Sequence, residues 1–183
     1  MLQQQESTNN TSCERLTKTN EFVKRIIRDN THSNGYVDIK KIAERLKITV
    51  TKERFISSTV VAVMKGSKSG RATNIYLSDR FSDQELNCAM AWVIATYFID
   101  DTRLASRFIE CNIFELRGFR EHRYSRIMLL ATRLMISEAT INKLDALDNY
   151  QTLLSLKPFM TQEFIGSVIK GHSVSFLLDN QFI

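Results

Sequence analysis

The side chains of this 183-residue chain that could ligate a metal or act as nucleophiles are few and widely spaced. Two imidazoles bind one zinc ion from a helix when they are four residues apart, and cysteine zinc sites show CxxC spacing. The three histidines and three cysteines fit neither pattern. These residues are His32, His122, His172, Cys13, Cys88 and Cys111. We expect surface or loop histidines and reduced thiols, two of them buried.

Carboxylates and hydroxyls give no clearer catalytic arrangement. Asp100 and Asp101 are adjacent, but they follow an apolar helical run, and Asp101 is well placed to cap the next helix. No Ser/His/Asp or Cys/His spacing indicates an activated nucleophile. The sequence therefore favours a protein that is not an enzyme.

Three segments carry a pattern that extends beyond single residues. Residues 87–99 read NCAMAWVIATYFI, residues 130–138 read LATRLMISE, and residues 37–48 read VDIKKIAERLKI. The first is apolar at helical spacing, so the helix predicted over 83–99 should pack against the rest of the protein.

The first two segments resemble the active-site helix and the following helix of the ImmA/IrrE family of bacterial and phage metallopeptidases. Ala91 matches the alanine before the first His of the family HExxH motif, Tyr97 matches the tyrosine after the second His, and residues 98–99 match the apolar pair that follows. Residues 130–138 are similar to the family phrase Phe-Ala-x-x-Leu-Leu-Met-Pro-Glu. The resemblance covers roughly residues 37–174 and implies a zincin-like fold.

Carried over residue by residue, the resemblance places the zinc ligands at Trp92, Thr96 and Tyr124 and the catalytic base at Val93. These side chains cannot replace two imidazoles and a carboxylate, so we expect no metal and no cofactor. Two interpretations of Trp92 remain open. Its indole either fills the volume that the ion would occupy or forms, with Tyr97 and Tyr124, an aromatic floor for a partner.

Charge and hydropathy limit the partners and the location. The net charge of +5 permits nucleic acid as a partner without indicating it, and no apolar run is long enough for a membrane span. We predict a cytoplasmic protein. Arg71, Arg120 and Arg123 are candidate contacts with a partner protein.

The organisation predicted from periodicity is α+β and mainly helical. Residues 1–13 should be disordered, and residues 14–183 should form a single ImmA/IrrE-like domain. Strands at 49–54, 59–65 and 74–78 suggest a three-stranded antiparallel sheet, with Asp38 and Ser82 capping the helices around it. Further helices are predicted over 14–29, 102–116, 123–135, 137–147, 150–156 and 161–170, and a weak edge strand over 173–178.

Active members of the family act against helix-turn-helix repressors. The resemblance therefore implies a bacterial, phage or mobile-element pseudoenzyme that regulates transcription by binding such a repressor, an antirepressor. One alternative is a DNA-binding regulator that uses residues 42–49 or 159–169 as its reading helix. The other is a hydrolase whose active site has moved.

Overall fold

The computed structural model of the protein describes residues 21–66, 71–99, 108–117, 122–144, 154–162 and 164–165. Residues 21–29 are helical and are called α1, and residues 154–156 form a helical turn. The remaining elements, in chain order, are α2 Ile39–Arg45, β1 Thr49–Glu53, β2 Val60–Gly66, β3 Ala72–Ser78, α3 Asp83–Ile99, β4 Phe108–Asn112, α4 Ile113–Arg117, α5 His122–Arg133 and α6 Glu138–Leu144. The predicted segments at 1–13 and 173–178 fall outside these ranges.

The predicted helix caps at Asp38 and Ser82 are confirmed, whereas Asp101 lies outside the described residues. The Asp38 carboxylate accepts hydrogen bonds from the backbone amides of Lys40 and Lys41 at 3.1 and 3.2 Å. The Glu85 amide donates to Ser82 Oγ at 3.3 Å, while Glu85 Oε2 accepts from the Ser82 amide at 2.9 Å. This reciprocal pair is a capping box, and it fixes where α3 begins.

The sheet has four strands and is mixed, so the expected three-stranded antiparallel sheet is wrong in both number and direction. The three predicted strands are present as β1, β2 and β3, and β4 joins them in the order β1-β3-β2-β4. β2 pairs antiparallel with β3 and β4, whereas β1 lies parallel to β3.

The fourth strand replaces part of the helix predicted over 102–116. Within β4, Ile109 and Cys111 are buried while Phe108 and Glu110 are exposed, which is the two-residue alternation of a half-buried strand. The helix begins only at Ile113. Asn112 Oδ1 caps it by accepting from the amides of residues 114 and 115, at 3.0 and 3.2 Å.

The parallel placement of β1 is held at the end of the strand. The Asp79 amide donates to the Glu53 carbonyl at 3.1 Å, and Lys52 Nζ lies 3.0 Å from Asp83 Oδ1 at the start of α3. Six residues connect β1 to β2, more than a tight two-residue hairpin contains. This connection is long enough for β1 and β2 to lie on opposite sides of β3 instead of pairing with each other.

The remaining helices agree with the sequence pattern where they are described. α5 and α6 lie within a residue or so of the predicted starts at 123 and 137. After α2 the chain turns at Lys47, whose φ is 59°, and continues directly into β1. Residues 42–49 therefore contain no second helix, and the first of the two candidate DNA-reading segments is not a helix-turn-helix.

The core is centred on α3, in which every residue from Leu86 to Thr96 is buried. One side of α3 packs on β2, β3 and β4, and α2, α4 and α5 cover other sides. Helices that are apolar around the whole circumference are stable only in such surroundings. None of the helices in the described ranges combines the length and apolarity needed to cross a membrane.

A turn at Gly35 joins the α1 side of the protein to α6. Gly35 has φ +82°, the Ser137 amide donates to its carbonyl at 2.8 Å, and a Cβ added at Gly35 would overlap the Thr140 side chain. Only glycine combines the positive φ with this close approach.

We therefore predict that Gly35→Ala lowers the free energy of unfolding by at least about 2 kcal/mol, from backbone strain plus the steric overlap. Urea denaturation followed by circular dichroism measures the change. The double variant Gly35→Ala/Thr140→Ala should recover part of the loss because it removes the Thr140 hydroxyl, the nearest atom to the added Cβ, while the Thr140 Cβ at 2.7 Å remains. Equal losses in the single and double variants would show that the overlap does not contribute.

Candidate functional site

The α3 positions that the resemblance aligns with the HExxH motif lie inside the protein. Trp92 is 2% exposed, Val93 is fully buried and Thr96 is 1% exposed. The Thr96 hydroxyl donates to the Trp92 carbonyl at 2.9 Å, one turn earlier in α3. That hydroxyl therefore satisfies its donor within the helix, and the three side chains form a packed part of the core.

The second motif segment lies beside the first. α5 packs against α3, and its residues Ile127 and Met128 are buried in the same core. Tyr124 is in the helical part of α5, although its side chain is outside what the structure describes. The two helices that the resemblance links at one site are thus neighbours.

Of the two interpretations of Trp92, its burial agrees with the one in which the indole fills space. An aromatic floor that a partner can reach must expose ring surface, and Trp92 exposes almost none. Tyr97 is partly buried against the core.

The three arginines proposed as partner contacts differ in how well they are placed. Arg71 is exposed immediately before β3. Arg123 lies in α5, with its side chain outside the described set, and Arg120 falls in the undescribed segment before α5. Of the three side chains, the structure therefore describes that of Arg71.

Other side chains of a type that can act in catalysis make structural contacts. His32 Nε2 is 3.7 Å from Asp38 Oδ2, and its ring stacks on Tyr36 with 5.8 Å between ring centroids. Burial raises the pKa of the Cys88 thiol to about 12 and that of Cys111 well above its ordinary value. Both thiols are free and buried, as expected, and remain protonated at neutral pH.

Metal ligands do not converge anywhere in the part of the chain that the structure describes. No group of three or more His, Cys, Asp or Glu side chains there could hold an ion. His122 begins α5 without a described side chain, and His172 is beyond the described ranges.

Sequence reasoning did not predict a pocket of about 260 Å³ beside the start of α3. Glu85 is the carboxylate in its wall, but Glu85 Oε2 already accepts from the Ser82 amide and hydroxyl, at 2.9 and 2.8 Å. The capping pattern in the sequence predicted these hydrogen bonds between Glu85 and Ser82. It did not predict the pocket, because the remaining lining residues come from segments distant in sequence. The pocket is lined by Ser82, Gln84, Glu85, Ile113, Leu116, Thr161 and Gln162.

Comparison with known proteins adds no relative, since no family model, curated protein or solved structure matches the chain.

Because Trp92 is buried in the core, truncating its side chain should lower the free energy of unfolding. We predict that Trp92→Ala lowers the free energy of unfolding by about 3 to 5 kcal/mol, because it removes a large buried ring and leaves a cavity. Ile99→Ala, at the exposed end of the same helix, is the matched control and should cost much less. Chemical denaturation of both variants tests this, and a loss below about 1 kcal/mol for Trp92→Ala would favour the aromatic floor instead.

We also predict that the purified protein binds no stoichiometric zinc at Trp92, Thr96 and Tyr124, because none of these residues supplies the imidazole or carboxylate ligand of a catalytic site. Elemental analysis after dialysis against zinc measures this. One zinc ion per chain, lost when any of the three is substituted, would contradict the prediction.

Proposed function

We propose that this protein is a catalytically inactive relative of the ImmA/IrrE metallopeptidases that acts as a regulatory protein-binding module. Its partner would be a helix-turn-helix repressor, and binding would relieve repression, so the protein would be an antirepressor of a phage or mobile element. The observation that carries the proposal is the burial of Trp92, Val93 and Thr96 in the middle of α3.

That burial matters because metal-dependent hydrolysis needs an ion with an open coordination position and access for substrate. Losing one ligand could be compensated by a neighbour. Replacing both histidines and the base with packed side chains removes the means of generating hydroxide at this place. A surface that binds a partner protein can be retained after catalytic activity is lost, since binding does not require the metal.

The order of elements and the contact between α3 and α5 support the resemblance on which the partner class depends. A helix precedes the first three strands, the long helix α3 follows them, and α5 packs against α3, although β4 and α4 lie between these two helices in the chain. The partner class itself rests on the resemblance, because these elements do not identify a partner.

DNA binding through a helix-turn-helix is the main competing function. One of its two candidate segments is excluded, because α2 is followed by the strand β1 and not by a second helix. The second, residues 159–169, contains no cation in its sequence, and the only cations near its ends are Lys157 and Lys170. A helix that reads duplex DNA needs several cations for its phosphate contacts, more than this segment offers.

We predict that reversing the charge of three arginines, Arg71→Glu, Arg120→Glu and Arg123→Glu, abolishes capture of a repressor from a lysate of the native host. Thermal stability should change little, because exposed charges contribute little to folding. Affinity capture with mass spectrometry measures both the partner and its intact mass. The control variant reverses three lysines that are exposed, Lys24, Lys40 and Lys157, and should retain the repressor.

Other outcomes would contradict the proposal in distinguishable ways. Recovery of DNA without a repressor would favour the DNA-binding alternative. Cleavage of the captured repressor that persists in Val93→Ala would reveal an active site elsewhere in the chain.

A further inference from the structure

The sheet has a second face that does not pack on α3. In the pairing register, Val50, Ile75, Met64 and Ile109 lie in one cross-strand row on the α3 side. Residues one position away along each strand point to the opposite side. We call this opposite side the open face, and its two rows are Thr49, Asn74, Lys65 and Phe108, then Thr51, Tyr76, Val63 and Glu110.

The open face presents aromatic and charged groups to solvent. Phe108 is 55% exposed, an unusual exposure for a large aromatic side chain on a strand. Lys65 and Glu110 are exposed as well, and Tyr76 and Val63 are half-buried. The alternation within β4 fixes the direction of Phe108, because its neighbour Ile109 is buried on the α3 side.

We propose that the open face binds single-stranded nucleic acid, with bases stacking on Phe108 and Tyr76 and a backbone phosphate contacting Lys65. Exposed aromatic rings on a sheet, with a cation between them, are the means by which many domains hold unpaired bases. This function is additional to the proposed repressor binding and does not depend on it.

The spacing of the three side chains suits an extended strand of nucleic acid. Lys65 is directly opposite Phe108 on β4 and diagonal to Tyr76 across the β2–β3 pair. Tyr76 and Phe108 are two strands and two residues apart, or roughly 12 Å by standard sheet dimensions. That separation leaves room for a phosphate between two stacked bases, at the position of Lys65.

The charged residues also favour one orientation of the nucleic acid on the open face. Lys65 is near one end of the strands, and exposed Arg71 begins the adjoining end of β3. Glu110 is in the other row, opposite Val63. The phosphate backbone is therefore attracted to the Lys65 row and repelled from the Glu110 row, while a carboxylate there can accept a hydrogen bond from a base amino group.

A duplex fits this face less well than a single strand. Its bases are stacked on one another, so they are not available to stack on protein rings. Its grooves accept a helix or a narrow ribbon in preference to a four-stranded face. The open face should therefore bind a single-stranded oligonucleotide more tightly than a duplex.

The test is fluorescence anisotropy with the full chain and labelled thymidine and uridine oligonucleotides of about 12 nucleotides, compared with a duplex of the same length. We expect the single strands to bind more tightly than the duplex at low salt. Phe108→Ala should weaken binding about tenfold by removing a stacking platform. Lys65→Gln should reduce the slope of log affinity against log salt by about 0.7, the value for one phosphate contact on a single strand.

Two further variants separate this site from general attraction to a basic protein. Glu110→Gln should tighten binding about twofold because it removes repulsion of phosphate. Lys157→Gln removes an exposed charge away from the sheet and should leave affinity unchanged. Circular dichroism melting curves of all four variants check that the fold is retained.

The proposal is overturned if no oligonucleotide binds at low salt or if the duplex binds as tightly as the single strands. It is also overturned if Lys157→Gln weakens binding as much as Lys65→Gln, or if a folded Phe108→Ala variant binds like the unchanged protein. Repressor capture is measured separately and does not vary Phe108, Lys65 or Glu110, so either function can fail without the other.

Discussion

A helix whose side chains are apolar on every side is stable in water only when other elements cover its whole circumference. α3 imposes this requirement on the rest of the fold. The sheet covers one side, α2, α4 and α5 cover others, and the capping box of Ser82 and Glu85 sets where the buried stretch begins. The burial of Trp92 and Val93 follows from the same requirement, because every residue of the helix from Leu86 to Thr96 is covered.

Local signals in the sequence predicted α3, the first three strands and both caps. Each depends on side chains within a few residues of one another, namely apolar spacing, β-branched runs and a polar residue before a helix. β4 was missed because residues 102–116 contain apolar side chains that also fit a helix. The signal that could have separated strand from helix is Asn112 followed by Glu115, whose reciprocal hydrogen bonds repeat the capping pattern seen at Ser82.

Strand order and surfaces depend on contacts between distant segments, which local patterns do not encode. The parallel pairing of β1 with β3 required a crossing of the sheet that residues 54–59 permit without dictating. The pocket at the start of α3 and the open face also arise from such long-range pairing. For the candidate site, the resemblance assigned three of the motif positions to Trp92, Val93 and Thr96, and the packing of α3 shows that these three side chains are buried. The class of partner still rests on the resemblance.

The position of β1 has a consequence for how the chain avoids self-association. β1 is synthesised before β2, β3 and β4, so its backbone amides and carbonyls have no partner in the sheet until β3 emerges, and it remains an edge strand afterwards. Unpaired strands of this kind recruit other chains, and a charge directed toward the covered face is one of the most effective deterrents. Lys52 is such a charge, since it shares the inward register with Leu77 and reaches Asp83 at the rim of the sheet. An added strand would have to bury or displace that ion pair, so the lysine that links β1 to the start of α3 also disfavours strand addition at this edge.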